Sequence, residues 1–102
     1  MKALQIKGYG EIRKNVFLDE VEKPQPKEGQ VLVEVHAASV NPVDYKIVLG
    51  NLKLLLRLKL PAVFGYDFAG VVVEKGVGVA HLEVGDSVYG RVPSESPCTF
   101  AE

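Results

Sequence analysis

Apolar and polar residues alternate most regularly over residues 30–39, QVLVEVHAAS. Val31, Val33 and Val35 face one way and Leu32, Glu34 and His36 the other, the two-residue period of a strand with one side toward a core. A second apolar run, Ala69-Gly70-Val71-Val72-Val73, lies inside residues 65–90, the stretch around which the rest is organised. Gly76 and Gly78 follow it as a sharp reversal, and a further strand enters through Gly85-Asp86. Valine-rich runs bounded by Gly and Asp predict strands joined by tight turns, and Gly takes the positive φ such turns use without a Cβ penalty. Residues 2–7 (KALQIK) predict an opening strand, Gly8-Tyr9-Gly10 a turn, and residues 15–22 (NVFLDEVE) a second strand or extended arm. Pro24 and Pro26 then block regular structure, because each lacks the N–H of a ladder and holds its predecessor extended.

The pattern changes over residues 41–50, NPVDYKIVLG. Asn41 is an N-cap candidate, Pro42 fits the first helical position, and Asp44 falls at N3, where a negative charge suits the helix end. Gly50 is a C′ candidate. A helix of about two turns between strands is predicted. Residues 51–60, NLKLLLRLKL, fit neither a helical nor a strand face, and Pro61 ends them. They read as a partly buried crossover, with an amphipathic membrane-surface segment or an exposed apolar contact surface as alternatives. Residues 94–97 read as a loop and residues 99–102 as the start of another strand.

Composition bounds these elements. One hundred and two residues suit one domain, 47% hydrophobic and 25% charged, with a core that needs no staples. A net charge of -1 gives no footprint for nucleic acid. Cys98, the single cysteine, allows no internal disulfide and suits a reducing, cytoplasmic setting. The opening residues carry no signal-peptide pattern, and the leucine-rich stretch is too short and too charged to span a bilayer.

Local motifs for chemistry are sparse. Gly8-Tyr9-Gly10 and Gly76-Val77-Gly78 are both G-x-G, but Arg13 and His81 stand where the third glycine of a dinucleotide fingerprint belongs. They read as turns, so no dinucleotide fold is expected within these residues. His36, His81 and Cys98 are not spaced as metal ligands, and no metal site is expected. No serine sits in a G-x-S-x-G elbow. No catalytic residue follows from spacing alone.

The run Ala38-Ser39-Val40-Asn41-Pro42-Val43-Asp44-Tyr45-Lys46, then Gly65-Tyr66-Asp67-Phe68-Ala69-Gly70, then Gly76, Val79, Gly85-Asp86, Val88 and Gly90, resembles the N-terminal domain of the medium-chain dehydrogenase/reductase superfamily. It is most similar to the zinc-free quinone oxidoreductase branch, whose next strand Thr99-Phe100-Ala101-Glu102 also resembles. The resemblance implies a mainly β, GroES-like, partly open barrel with short helices over residues 1–102. It implies a following Rossmann domain, absent here, with NADPH or NADH bound in the cleft between the two.

Zinc-dependent relatives carry a cysteine at the place of Asn41, a histidine at that of Tyr66, a relay hydroxyl at that of Val43 and a four-cysteine lobe after Gly90. This sequence has none of these, which implies zinc-free chemistry. The resemblance implies that Asn41, Asp44 and Lys46 lie toward the cofactor and that Tyr45, Tyr66 and Asp67 border the substrate. Many members carry a tyrosine two places after the aspartate; here that place is Lys46, and the tyrosine stands one place earlier. Each residue has a structural alternative. Asn41 and Asp44 cap a helix anyway, Tyr45 suits a core, Lys46 a solvated helix face, and Tyr66 and Asp67 a strand turn.

The implied activity is hydride transfer to a quinone or an α,β-unsaturated carbonyl. Tyr45, Tyr66 or solvent would receive the developing oxyanion, and these residues alone would be inactive. Homo-oligomers are expected, and self-association of the isolated domain, with no nucleic-acid or membrane partner. The competing reading is a stand-alone GroES-like module that binds a protein partner through the apolar residues 52–60. A co-chaperonin is a third.

Overall fold

The computed structural model describes residues 1–52 and 58–102. Among these residues six strands and two short helices follow in the order β1 (Lys2–Ile6), α1 (Ile12–Asn15), β2 (Val16–Glu20), β3 (Val31–Ser39), α2 (Pro42–Leu49), β4 (Ala62–Val63), β5 (Asp67–Lys75) and β6 (Ser87–Arg91). They form two antiparallel three-stranded sheets, ordered β2-β1-β4 and β3-β5-β6. The sheets do not close on each other, so the mainly β, partly open GroES-like barrel expected from the sequence holds. The C-terminal segment laces them together. The Leu4 N–H donates to the Phe100 carbonyl (2.9 Å), and the Phe100 N–H to the Phe64 carbonyl (2.9 Å).

Ile6, Ile47, Val48, Phe64 and Tyr66 form the buried core. Phe100 closes it edge-on against Phe64, with ring centroids 4.9 Å apart. Of the leucine-rich stretch, residues 53–57 lie outside the described residues; the flanking Leu52, Leu58 and Leu60 pack against this core. The crossover reading fits those flanks. No helix among the described residues is long and apolar enough to cross a membrane.

Three details depart from the pattern. Residues 12–15 form one helical turn after the Gly8–Gly10 bend, too short to leave a period in the sequence. Residues 99–102 contribute one isolated bridge, Ala3 to Ala101, rather than a strand. Gly78 takes a positive φ (86°), whereas Gly76 does not; a Cβ at Gly76 would overlap the Lys27 carbonyl. Gly76 is thus demanded by a close backbone approach between distant loops, which no turn rule reports.

Candidate functional site

The site sits where β3 runs into α2. Asn41 is extended (φ −119°, ψ 162°), and Pro42 starts the helix behind it. Its backbone N–H donates to Asp44 Oδ2 (2.7 Å), the N3 carboxylate reaching back as a capping box requires. The Asp44 N–H goes to the Asn41 backbone carbonyl (2.9 Å). The Asn41 side chain faces the same N3 backbone, completing the box, and makes further bonds across the sheet. Its Nδ2 donates to Asp67 Oδ2 (2.7 Å) and to Ser39 Oγ (3.2 Å). Ser39 Oγ–H donates to the same Asp67 oxygen (3.3 Å).

The far end of α2 is closed by Gly50, at φ 88°. The Gly50 N–H reaches the Ile47 carbonyl and the Asn51 N–H the Lys46 carbonyl, both at 3.0 Å, a Schellman pair that holds the helix to its length.

Strand register extends the polar group. Ser39 lies opposite Asp67 and Asp67 opposite Arg91, and opposed residues of an antiparallel pair share a face. A row Ser39–Asp67–Arg91 therefore crosses β3, β5 and β6 at the sheet end beside the first turn of α2.

Asp44 is 1% exposed, and its Oδ1 has no hydrogen-bond partner. Burial pushes its carboxyl above the ordinary value of 3.8; the Asn41 hydrogen bond opposes this, and the neighbouring Asp67 charge adds to it. A carboxyl raised on folding keeps its proton to higher pH in the folded than in the unfolded chain. Stability therefore falls as pH rises from 3.8 through the raised folded value and is level above it. Asp44→Asn, which keeps a capping oxygen, is expected to remove that fall. Urea midpoints of variant and wild type should diverge, in favour of the variant, between about pH 3 and neutral pH; a constant difference would exclude the effect.

Tyr66 is also 1% exposed. Its hydroxyl donates to the Ser94 carbonyl (2.8 Å), and the Arg91 guanidinium lies over its ring, 5.2 Å from the centroid. Burial raises its phenol; Arg91 opposes that, while Asp44 and Glu95 add to it. Tyr45 and Lys46 are exposed on α2. Lys46 is two positions beyond Asp44, about 200° round the helix and so turned from the buried face. The structure thus joins Asn41, Asp44 and Asp67 by hydrogen bonds and sets Tyr66 next to them in the core. It leaves Tyr45 and Lys46 outside that network. His36 (3.4 Å from Glu34), His81 and Cys98 are exposed.

Arg91 is the residue that sequence reasoning missed. Its place opposite Asp67 depends on the β5–β6 register, which the irregular connection over residues 76–86 does not reveal.

Residues 27–101 match the alcohol dehydrogenase GroES-like domain. The chain belongs to this family. The matched span of this GroES-like domain holds the whole polar row and both ends of α2. The chain is 45% identical over 92 residues to the 2-methylene-furan-3-one reductase of Solanum lycopersicum, covering 90% of this chain and 24% of that protein. It is 42% identical over 96 residues to the chloroplastic NADPH-dependent alkenal/one oxidoreductase of Arabidopsis thaliana, covering 94% and 25%. Among solved structures it is similar to the quinone oxidoreductase from Coxiella burnetii, with a TM-score of 0.87 and 38% identity over all of this chain and 33% of that one. The chain therefore spans 24–33% of the length of these three proteins, and its likeness to quinone oxidoreductases agrees with the resemblance read from the sequence.

Proposed function

We propose that this domain is the substrate-side wall of the cleft in a zinc-independent, NAD(P)H-dependent reductase of quinones and α,β-unsaturated carbonyls. In this reading a Rossmann domain elsewhere in a longer polypeptide supplies most of the cofactor binding, and the setting is reducing, as in the cytoplasm. The observation that carries it is the polar group on the α2 N-terminus: Asn41 bonded to Asp67, over a buried Asp44 whose Oδ1 is unpartnered. The amide of Asn41 and the carboxylate of Asp67, held together at the start of α2, offer polar partners for the carboxamide end of a nicotinamide. Neither G-x-G turn belongs to this group, so apart from Lys46 the phosphates fall to residues outside this chain.

An amide at position 41 and a buried phenol at position 66 are not the thiolate and imidazole that hold zinc, which supports the zinc-free branch. The bound nicotinamide supplies the hydride. Asn41 orients the ring edge, Asp44 holds the Asn41 backbone, Asp67 holds its side chain, and Tyr66 walls the site from below. Tyr45 meets the substrate from the exposed side of α2, and Lys46 reaches toward cofactor phosphate. Solvent returns the proton.

The test is an assay of the complete polypeptide with a 1,4-quinone and a 2-alkenal, using NADPH and NADH. Asn41→Ala is expected to lower turnover and cofactor affinity about tenfold or more, a loss of ~1.4 kcal/mol each. Unchanged values for both would remove Asn41 from the site.

A further inference from the structure

We infer that Arg91 is the group that receives the negative oxygen formed when the enone or quinone is reduced; this rests on the reductase reading above. The phenol of Tyr66 is spent on the Ser94 carbonyl, and its ring is buried. Both polar partners of the Asn41 Nδ2 are in place, Asp67 and Ser39. Asp67 itself is acidic and opposes a second negative charge, so an oxyanion at this end of the sheet requires a cation beside it.

Arg91 has the right placement. It lies directly across from Asp67 and is exposed. Among the described residues its guanidinium forms no ion pair and no side-chain hydrogen bond; its one close partner is the Tyr66 ring. A guanidinium held over an aromatic face by cation–π attraction keeps its N–H groups available to an anion. A charge held in place before the reaction stabilises a developing oxyanion without reorganisation.

The step balances as follows. Hydride, carrying two electrons, bonds to the β-carbon of the enone. The C=C pair moves to form the new C=C, and the C=O pair moves onto oxygen, giving an enolate. Arg91 N–H groups donate to that oxygen and keep their protons. Water protonates the α-carbon, the carbonyl re-forms, and the oxidised nicotinamide leaves. For a quinone the same charge is that of the hydroquinone monoanion, protonated by solvent.

Arg91→Gln, Arg91→Lys and Tyr45→Phe would be compared in the complete polypeptide. Arg91→Gln is expected to lower kcat about 10- to 100-fold, with KM for the reduced nicotinamide little changed and Arg91→Lys recovering part of the loss. A second readout is independent of turnover. 4-Nitrophenol, whose absorbance reports its ionisation, should bind wild type with a lowered apparent pKa, and Arg91→Gln should abolish that shift. Wild-type turnover in Arg91→Gln overturns the assignment alone, and a loss in Tyr45→Phe in its place moves the oxyanion to Tyr45. Absence of quinone and alkenal reduction by wild type with either nicotinamide overturns the reductase reading and this inference with it.

Discussion

Tyr66→Ala is expected to cost about 3–5 kcal/mol, the range for emptying a buried aromatic site. Tyr66 heads the fully buried side chains and packs in one cluster with Ile6, Ile47, Val48 and Phe64. Its loss removes the wall under α2, the anchor for Ser94 and the ring over which Arg91 lies. A domain of this size holds only about 5–15 kcal/mol in all, so the loss is a large share of its stability. Tyr66→Phe separates the ring from its hydroxyl. Ser94 is exposed, so its carbonyl can turn to water, and that variant should lose only about 1 kcal/mol. Urea midpoints with equal m-values check both. Equal losses for the two variants would show that the hydrogen bond, rather than the packed ring, holds this part of the core.

Gly70→Ala should cost about 3 kcal/mol, the upper end for overpacking. Gly70 sits in β5, the central strand of its sheet, opposite Val35 on β3 and Val88 on β6. A Cβ there would overlap the Glu34 backbone carbonyl and press within 2.8 Å of Val33 Cγ1. Because β5 is paired on both edges, the strand cannot slide away from the clash without breaking a ladder. Gly90 is the control on β6: its added Cβ would meet only the Phe68 ring, at 3.7 Å. Gly90→Ala should be neutral or stabilising by about 0.5 kcal/mol, since it narrows the unfolded ensemble at a compatible φ. Both effects are read from urea denaturation of the same chain, and tolerance of Gly70→Ala would mean that β3 and β5 pack less closely than the register implies.

Read alone, the sequence determined the local devices. The alternation over residues 30–39 marks β3, the valine run marks β5, and Gly85-Asp86 marks the entry to β6. Asn41, Pro42, Asp44 and Gly50 bracket α2 at the residues where the helix begins and ends. These features act across one to five residues, through backbone groups that must find partners nearby, so composition and spacing suffice to reveal them.

Only the tertiary structure decided the rest. Asn41 caps its helix as the sequence rule says, but its bond to Asp67 exists only because β3 and β5 bring the two together. Tyr66 packs into the core because α2, Phe64 and residues 94–100 close around it. Gly70 and Gly76 are required by carbonyls from β3 and from residue 27, and Arg91 is set opposite Asp67 by a register that an irregular loop leaves open. Burial, register and close approach are properties of pairs of residues tens of positions apart. They are set by which strands meet, and that is settled only when the whole chain packs.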